Sequence, residues 1–274
     1  MSNPNPTTSA PAELATAPSD CCVSGIKHAG TPAGKTVTIA GIETYLSEPP
    51  SSSLNKSKSG DDASGGKGKG VILYFSDIYG PFYLNGQLLQ DYFASRGYTV
   101  LGCDYFFGDP VHTHTEPGFD RNTWVGEKRE KAREVVPGWV KGVRELYGKE
   151  TKYCTVGYCF GGPFALDLAT GNDVVAAAFA HPAFLNEDHF TKIKRPLLMS
   201  CAETDPTFPP ESRRRAEDLL VAAKARYHIQ VFAGVKHGFA VRGNPEVGDE
   251  WWAKEESARG VIAWFDRFTK VDKE

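Results

Sequence analysis

Gly157-Tyr158-Cys159-Phe160-Gly161-Gly162 lies between a β-type run at 153–156 and a helical run at 164–169. Gly-x-Nuc-x-Gly between a strand and a helix is the pattern of a nucleophile elbow, here with cysteine where serine is usual. The turn is sharp enough that Cβ atoms two residues either side of the nucleophile would clash, which explains the glycines. It also sets the sulfur at a helix N-terminus, where N–H groups and the helix dipole favour an anion. A thiolate and an oxyanion would both gain from that position. Taken alone, the string is more often a glycine-rich turn around a buried cysteine than a catalytic elbow. Its partners have to decide.

Outward from the elbow the chain alternates strand and helix. Strands are expected at 71–75, 98–103, 153–156, 174–180, 196–200 and 228–232. Helices are expected at 84–96, 127–147, 160–170, 209–226 and 249–269, with Pro137 kinking the second or starting its main part. A hairpin at 35–39 and 42–46 precedes them. The alternation implies an α/β fold, a mostly parallel sheet with helices on both faces. Residues 20–270 read as one domain. Residues 1–19, rich in Pro, Ala, Thr and Ser without an apolar core, read as a disordered tail and not a signal peptide. Residues 51–70, rich in Ser, Gly, Lys and Asp, read as a flexible surface loop, and 108–126 as a lid or rim loop.

Composition narrows the function. The 274 residues are 41% hydrophobic and 24% charged, with a net charge of −3, so no basic face for nucleic acid is implied. No apolar run reaches the ~20 residues of a membrane span. The six cysteines, at 21, 22, 103, 154, 159 and 201, do not form a disulfide framework, and a reducing, cytoplasmic setting is expected. Cys21 and Cys22 are adjacent and poorly placed to bridge each other.

In open parallel sheets, sites form at the C-terminal ends of strands. Three polar residues stand there in the order nucleophile, acid, histidine: Cys159, then Asp205 after 46 residues, then His237 after a further 32. That is the α/β-hydrolase order. Cys159 would attack a carbonyl carbon, His237 would move the proton, and Asp205 would fix the imidazole tautomer. Glu203 competes for the acid role, and Asp205 could merely open the turn before Pro206. The segment Ser76-Asp77-Ile78-Tyr79-Gly80 follows the 71–75 strand, where the second oxyanion N–H of such folds arises. Ile78 and Phe160 are therefore the expected oxyanion N–H donors, and the Asp77 carboxylate is expected near Cys159. Aromatic residues crowd the loops, among them Tyr79, Phe82, Tyr83, Tyr105, Phe106, Phe107, Phe119 and Trp124. They suggest a pocket for an apolar or aromatic-derived substrate. His112-Thr113-His114-Thr115-Glu116 could offer metal ligands but reads as polar rim, so no metal is expected.

With these residues assembled, the chain resembles the dienelactone hydrolase family over about residues 20–270. The resemblance rests on Asp77-Ile78-Tyr79-Gly80, the Gly157–Gly162 hexapeptide, Asp205, and His237-Gly238-Phe239-Ala240. Asp20-Cys21-Cys22, with Gly25, His28, Gly30 and Pro32, is similar to the eukaryotic, notably fungal, branch. The resemblance implies hydrolysis of a lactone or small ester by a Cys-His-Asp triad through an acyl-thioenzyme, without metal or cofactor. It also implies that Asp77 holds the resting thiol neutral, although bacterial members carry glutamate there. Tyr79, Arg121, Trp124, Phe239 and Arg242 are the candidate substrate contacts. The partner is a small molecule, and the chain is expected to be a monomer or homodimer. The alternatives are a non-hydrolytic homologue that binds a ligand, or a thiol redox sensor built on Cys159.

Overall fold

The computed structural model describes residues 10–50 and 68–270. Eight strands form one sheet: β1 (Lys35–Ile39), β2 (Ile42–Ser47), β3 (Gly70–Phe75), β4 (Tyr98–Cys103), β5 (Tyr153–Tyr158), β6 (Ala176–Ala180), β7 (Leu197–Thr204) and β8 (Tyr227–Lys236). Their order across the sheet is β1-β2-β4-β3-β5-β6-β7-β8. β1, β2 and β4 pair antiparallel, and every pairing from β4 through β3 to β8 is parallel. The helices are α1 (Leu84–Ser95), α2 (Arg121–Tyr147), α3 (Gly162–Ala169), α4 (Asp188–Thr191), α5 (Pro210–Ala222), α6 (Phe239–Arg242) and α7 (Gly248–Thr269). This is the α/β-hydrolase fold, with the mostly parallel sheet that the alternation implied and the class that the order of Cys159, Asp205 and His237 implied.

The period of two along each strand divides the core between the faces of the sheet. In β3, Val71, Leu73 and Phe75 pack with Trp139 and Val143 of α2 and Phe164 and Ala165 of α3. Ile72 and Tyr74 pack with Leu89 and Phe93 of α1 and Val261 and Phe265 of α7. β6 divides in the same way, with Ala176, Ala178 and Ala180 on the α1/α7 face. Ala177 and Phe179 meet Ala216 and Leu220 of α5 on the other. Parallel strands buried on both faces read as continuous apolar runs, which is why they were visible in the sequence.

Several boundaries differ from the sequence reading. α2 starts at Arg121, six residues earlier than expected, so the second part of the supposed lid at 108–126 is helix. The cause is Asp120, whose carboxylate accepts the N–H groups of Asn122 and Thr123 at 3.1 and 3.2 Å and caps the helix. α2 also runs through Pro137 as one helix, held on either side by buried Val136, Trp139 and Val140. The supposed tail needs a larger correction. Residues 1–9 and the 51–67 part of the expected loop lie outside the described residues, but residues 10–19 lie on the domain. Leu14 and Ala15 are buried in the α5-side core, and both their N–H groups donate to Leu185 O, at 2.8 and 2.9 Å. Two buried apolar residues and backbone bonds of Ala12 and Thr16 to Glu187, Phe184 and Thr207 dock a segment whose composition reads as disordered. No helix among the described residues is long and apolar enough to cross a membrane.

Gly126 sits exposed within α2, and a Cβ added there would meet nothing within 4 Å. Gly126→Ala should therefore stabilise the protein by about 0.5–1 kcal/mol, read as a higher midpoint in urea unfolding.

Candidate active site

The elbow is built by close backbone approach. Cys159 has φ of +49°, in the left-handed region, at the start of a 3₁₀ turn (Cys159–Gly161) between β5 and α3. A Cβ on Gly157 would lie 2.3 Å from Gly161 O, and one on Gly161 would lie 2.2 Å from Phe75 O. Only glycine can fill either place. β3 and β5 run side by side with Phe75 opposite Gly157. The turn carrying Ile78 therefore leaves the sheet beside the turn carrying Phe160. Both residues are buried.

Asp205 and His237 meet as the chain order suggested. Asp205 ends β7 and folds back on its own turn, where Oδ1 accepts the N–H groups of Thr207 and Phe208 at 3.0 and 3.1 Å. His237 follows β8, with Nδ1 2.8 Å from Asp205 Oδ1 and 2.6 Å from Thr207 Oγ1. The Thr207 hydroxyl donates its one proton to Asp205 at 2.6 Å, so toward His237 it accepts. This assigns the ring proton to Nδ1 and turns Nε2 toward the elbow. Glu203 instead accepts the N–H of Gly234 at 2.8 Å, away from the imidazole. Burial pushes the Asp205 carboxyl up, but His237 and Thr207 outweigh it and hold it below the usual carboxylate range. Burial likewise pushes the imidazolium of His237 down, but Asp205 and Cys22 outweigh that and raise it well above its usual range.

Cys22 completes the cluster, and nothing in its sequence surroundings marks it as a member. It lies on a 3₁₀ turn (Asp20–Val23), fully buried. Its Sγ is 3.2 Å from His237 Nε2 and 3.5 Å from Cys159 Sγ. Among the described residues no hydrogen bond joins Cys159 directly to His237, and the second thiol touches both. Cys159 itself has no exposed surface. Residues 20–28 thus form a strap over the site. It is fixed by an Asp20–Arg121 ion pair, by Tyr79 Oη donating to Val23 O at 3.0 Å, and by Arg242 Nε donating to Ser24 O at 2.9 Å.

The other candidates divide. Among the described residues no hydrogen bond joins Asp77 to Cys159. One carboxylate oxygen accepts the N–H of Tyr79 at 3.0 Å, and the other is paired with Arg242. Arg242 is buried and stacks its guanidinium over the Tyr79 ring at 4.7 Å, with Nη2 left without a partner. Burial lowers its pKa to about 10. Arg121 is committed to Asp20 on the strap, and Trp124 stacks on Phe106 at 5.5 Å. Phe239 packs inward against Phe232 and His181, and Tyr105 and Phe106 are core, not rim. His112 stacks on Tyr79 while His114 stacks on Phe119, so the two histidines of the possible metal motif face different neighbours. Two more residues were missed. Thr207 holds both Asp205 and His237. His181 is buried with its ring 4.9 Å from that of His237 and neither nitrogen partnered. Burial and the neighbouring His237 push its pKa down to about 3, so it stays neutral. Its position directly after β6 was the available signal.

The fold is that of an α/β-hydrolase, with cysteine at the elbow. The model of the dienelactone hydrolase family matches residues 60–269, and the chain belongs to that family. It is 34% identical to dienlactone hydrolase 1 of Gibberella moniliformis over 96% of both chains. It is 27% identical to the mouse carboxymethylenebutenolidase homolog over 73% of this chain and 83% of that one. The dienelactone hydrolase structure from Anabaena variabilis superposes with a TM-score of 0.57 at 13% identity, covering 89% of this chain and all of that one. The chain is accordingly a carboxylic ester or lactone hydrolase.

Gly161→Ala should cost more than about 3 kcal/mol or abolish soluble protein, the opposite sign to Gly126→Ala, because its Cβ meets backbone with no room to shift. Urea unfolding of the two variants reads the contrast. The Asp205–His237 pair also leaves a signature in pH. Asp205, with a lowered folded pKa, contributes stability above its ordinary value near 4 and loses it as pH falls. His237, with a raised folded pKa, contributes below its ordinary value near 6.5 and loses it as pH rises through the folded value. The stability difference between wild type and Asp205→Asn should be largest between about pH 4 and 6.5 and shrink on both sides.

Proposed function

We propose that the chain hydrolyses a lactone or small carboxylic ester through a thioester on Cys159. The observation that carries this reading is the ordered set of Asp205, Thr207 and His237, which directs an imidazole Nε2 at the thiol cluster beside a strained elbow cysteine. Because Cys159 is fully covered, the strap has to move for a substrate to reach it. Withdrawal of Cys22 removes one of the groups that favour the imidazolium, and His237 as the neutral imidazole then takes the proton of Cys159 on Nε2, so that the thiolate attacks the carbonyl carbon. The N–H groups of Ile78 and Phe160 receive the developing oxyanion. The imidazolium returns its proton to the leaving oxygen, which in a lactone stays tethered to the acyl group. His237 then activates water to release the acid. Asp205 holds the tautomer and offsets the positive charge throughout.

Asp77 governs the thiol indirectly in this reading, through Arg242. The unpartnered Nη2 of Arg242 is the group available to a substrate carboxylate, and a carboxylate there competes with Asp77 for the guanidinium. Every step uses side-chain and backbone groups, so neither metal nor cofactor is required. Six free cysteines suit a reducing cytoplasm, with the chain acting alone or as a homodimer.

The test is a pre-steady-state burst with p-nitrophenyl acetate, with the acyl group located by mass spectrometry. The wild type should carry it on Cys159, and Cys159→Ala should lose the burst. His237→Ala should slow acylation by about 10²–10⁴-fold. An undiminished burst in Cys159→Ala would overturn the assignment.

A further inference from the structure

We infer that Cys22 is a resolving cysteine for Cys159, and that a hydroperoxide converts the pair into a reversible disulfide that locks the strap over the site. Cys159 enters here as the reactive thiol of the hydrolysis proposed above. Three observations carry the inference. The two sulfurs lie 3.5 Å apart, so reaching a bond of about 2 Å needs only a small movement of one side chain or of the 3₁₀ turn. Cys22 is not held by the sheet or by a long helix. It sits on a four-residue turn secured at its edges by the Asp20–Arg121 pair and the hydrogen bonds of Tyr79 and Arg242. A proton acceptor is already in place, with His237 Nε2 3.2 Å from the Cys22 sulfur.

The chemistry balances with a hydroperoxide as the oxidant. With the strap open, the Cys159 thiolate attacks the peroxide O–O bond. The sulfur becomes a sulfenic acid, the peroxide is reduced, and water or an alcohol leaves with the proton. When the strap returns, His237 takes the proton of Cys22. The Cys22 thiolate attacks the Cys159 sulfur, the S–O bond breaks, and hydroxide leaves as water with the proton from the imidazolium. The product joins residues 137 apart in the chain and holds the nucleophile, the base and the covering segment in one closed unit. Two thiols of a reductant restore the starting state. Without Cys22 the sulfenic acid has no partner at that distance, and further oxidation to the sulfinic acid is irreversible for a simple reductant. Cys21 is a built-in control. Its sulfur is 3.9 Å from that of Cys22, but the two residues are adjacent and strained for bridging.

The experiment uses the full chain in chelator-treated buffer with a few equivalents of hydrogen peroxide. Non-reducing peptide maps and ester hydrolysis are measured before and after dithiothreitol. The expected result is a cross-linked Cys22–Cys159 peptide and a fall in hydrolysis of about tenfold or more, both reversed by the reductant. Cys22→Ala and Cys22→Ser, each compared with its own untreated activity, should give no cross-link and a loss that dithiothreitol does not recover. Cys21→Ser should behave as wild type. A wild-type map showing sulfinic acid at Cys159 without the cross-link, or only a Cys21–Cys22 bond, would overturn the inference. Because the map needs no turnover, a cross-link in a protein that fails to hydrolyse esters would count against the proposed hydrolysis and leave the disulfide standing. Acylation of Cys159 without a cross-link would do the reverse.

Discussion

The site depends on one backbone contact, the approach of Gly161 to the carbonyl of Phe75 where β5 turns beside β3. That approach bends the chain at Cys159 into the left-handed region and brings the start of α3 under the sulfur. A strained residue persists only where its surroundings determine it completely. Here they do so from both sides of the sheet. Phe75 packs with Trp139 and Phe164 on one face, and Tyr74 stacks near Tyr158 at 5.3 Å on the other. The core thus holds a position that a loop could not, and Asp205 and His237, which follow β7 and β8, are referred to the same rigid sheet.

Electrostatics around the site are arranged in two separate buried pairs. Asp205–His237 favours both charged partners and is supported by Thr207 and two backbone N–H groups. Asp77–Arg242 is also buried, with the guanidinium stacked on Tyr79. A buried pair gains little net stability over apolar residues of the same size but is costly to break by removing one partner. Asp77 and Arg242 are therefore coupled. A change to either leaves the other as an uncompensated charge in a site where Cys159 and His237 are neighbours.

The fold was legible because its evidence is local and periodic. Continuous apolar runs marked β3 to β7, and residues directly after strands marked Cys159, Asp205 and His237. What escaped was contact between distant parts of the chain. Nothing in Asp20-Cys21-Cys22 indicates that residue 22 meets residue 159, and composition could not show that Leu14 and Ala15 dock under Leu185. Asp77 was read from its place after β3 and from the family resemblance, while its ion-pair partner, Arg242, arrives from α6. Helix α2 was placed late because its cap, Asp120, lies in a stretch without hydrophobic period. His181 was within reach of the strand-end rule that marked Cys159, Asp205 and His237.

The strap gives the hydrolase a competitor that cannot be diluted away. A covering segment on the same chain acts at an effective concentration set by its tether, not by the amount of protein. Where the strap must open for substrate to bind, as the proposed function requires, only the open fraction of molecules binds, and the apparent dissociation constant is the intrinsic one divided by that fraction. Affinity is thereby set partly at Asp20, Arg121 and the Tyr79 hydroxyl, groups that hold the cover and take no part in the chemistry beneath it.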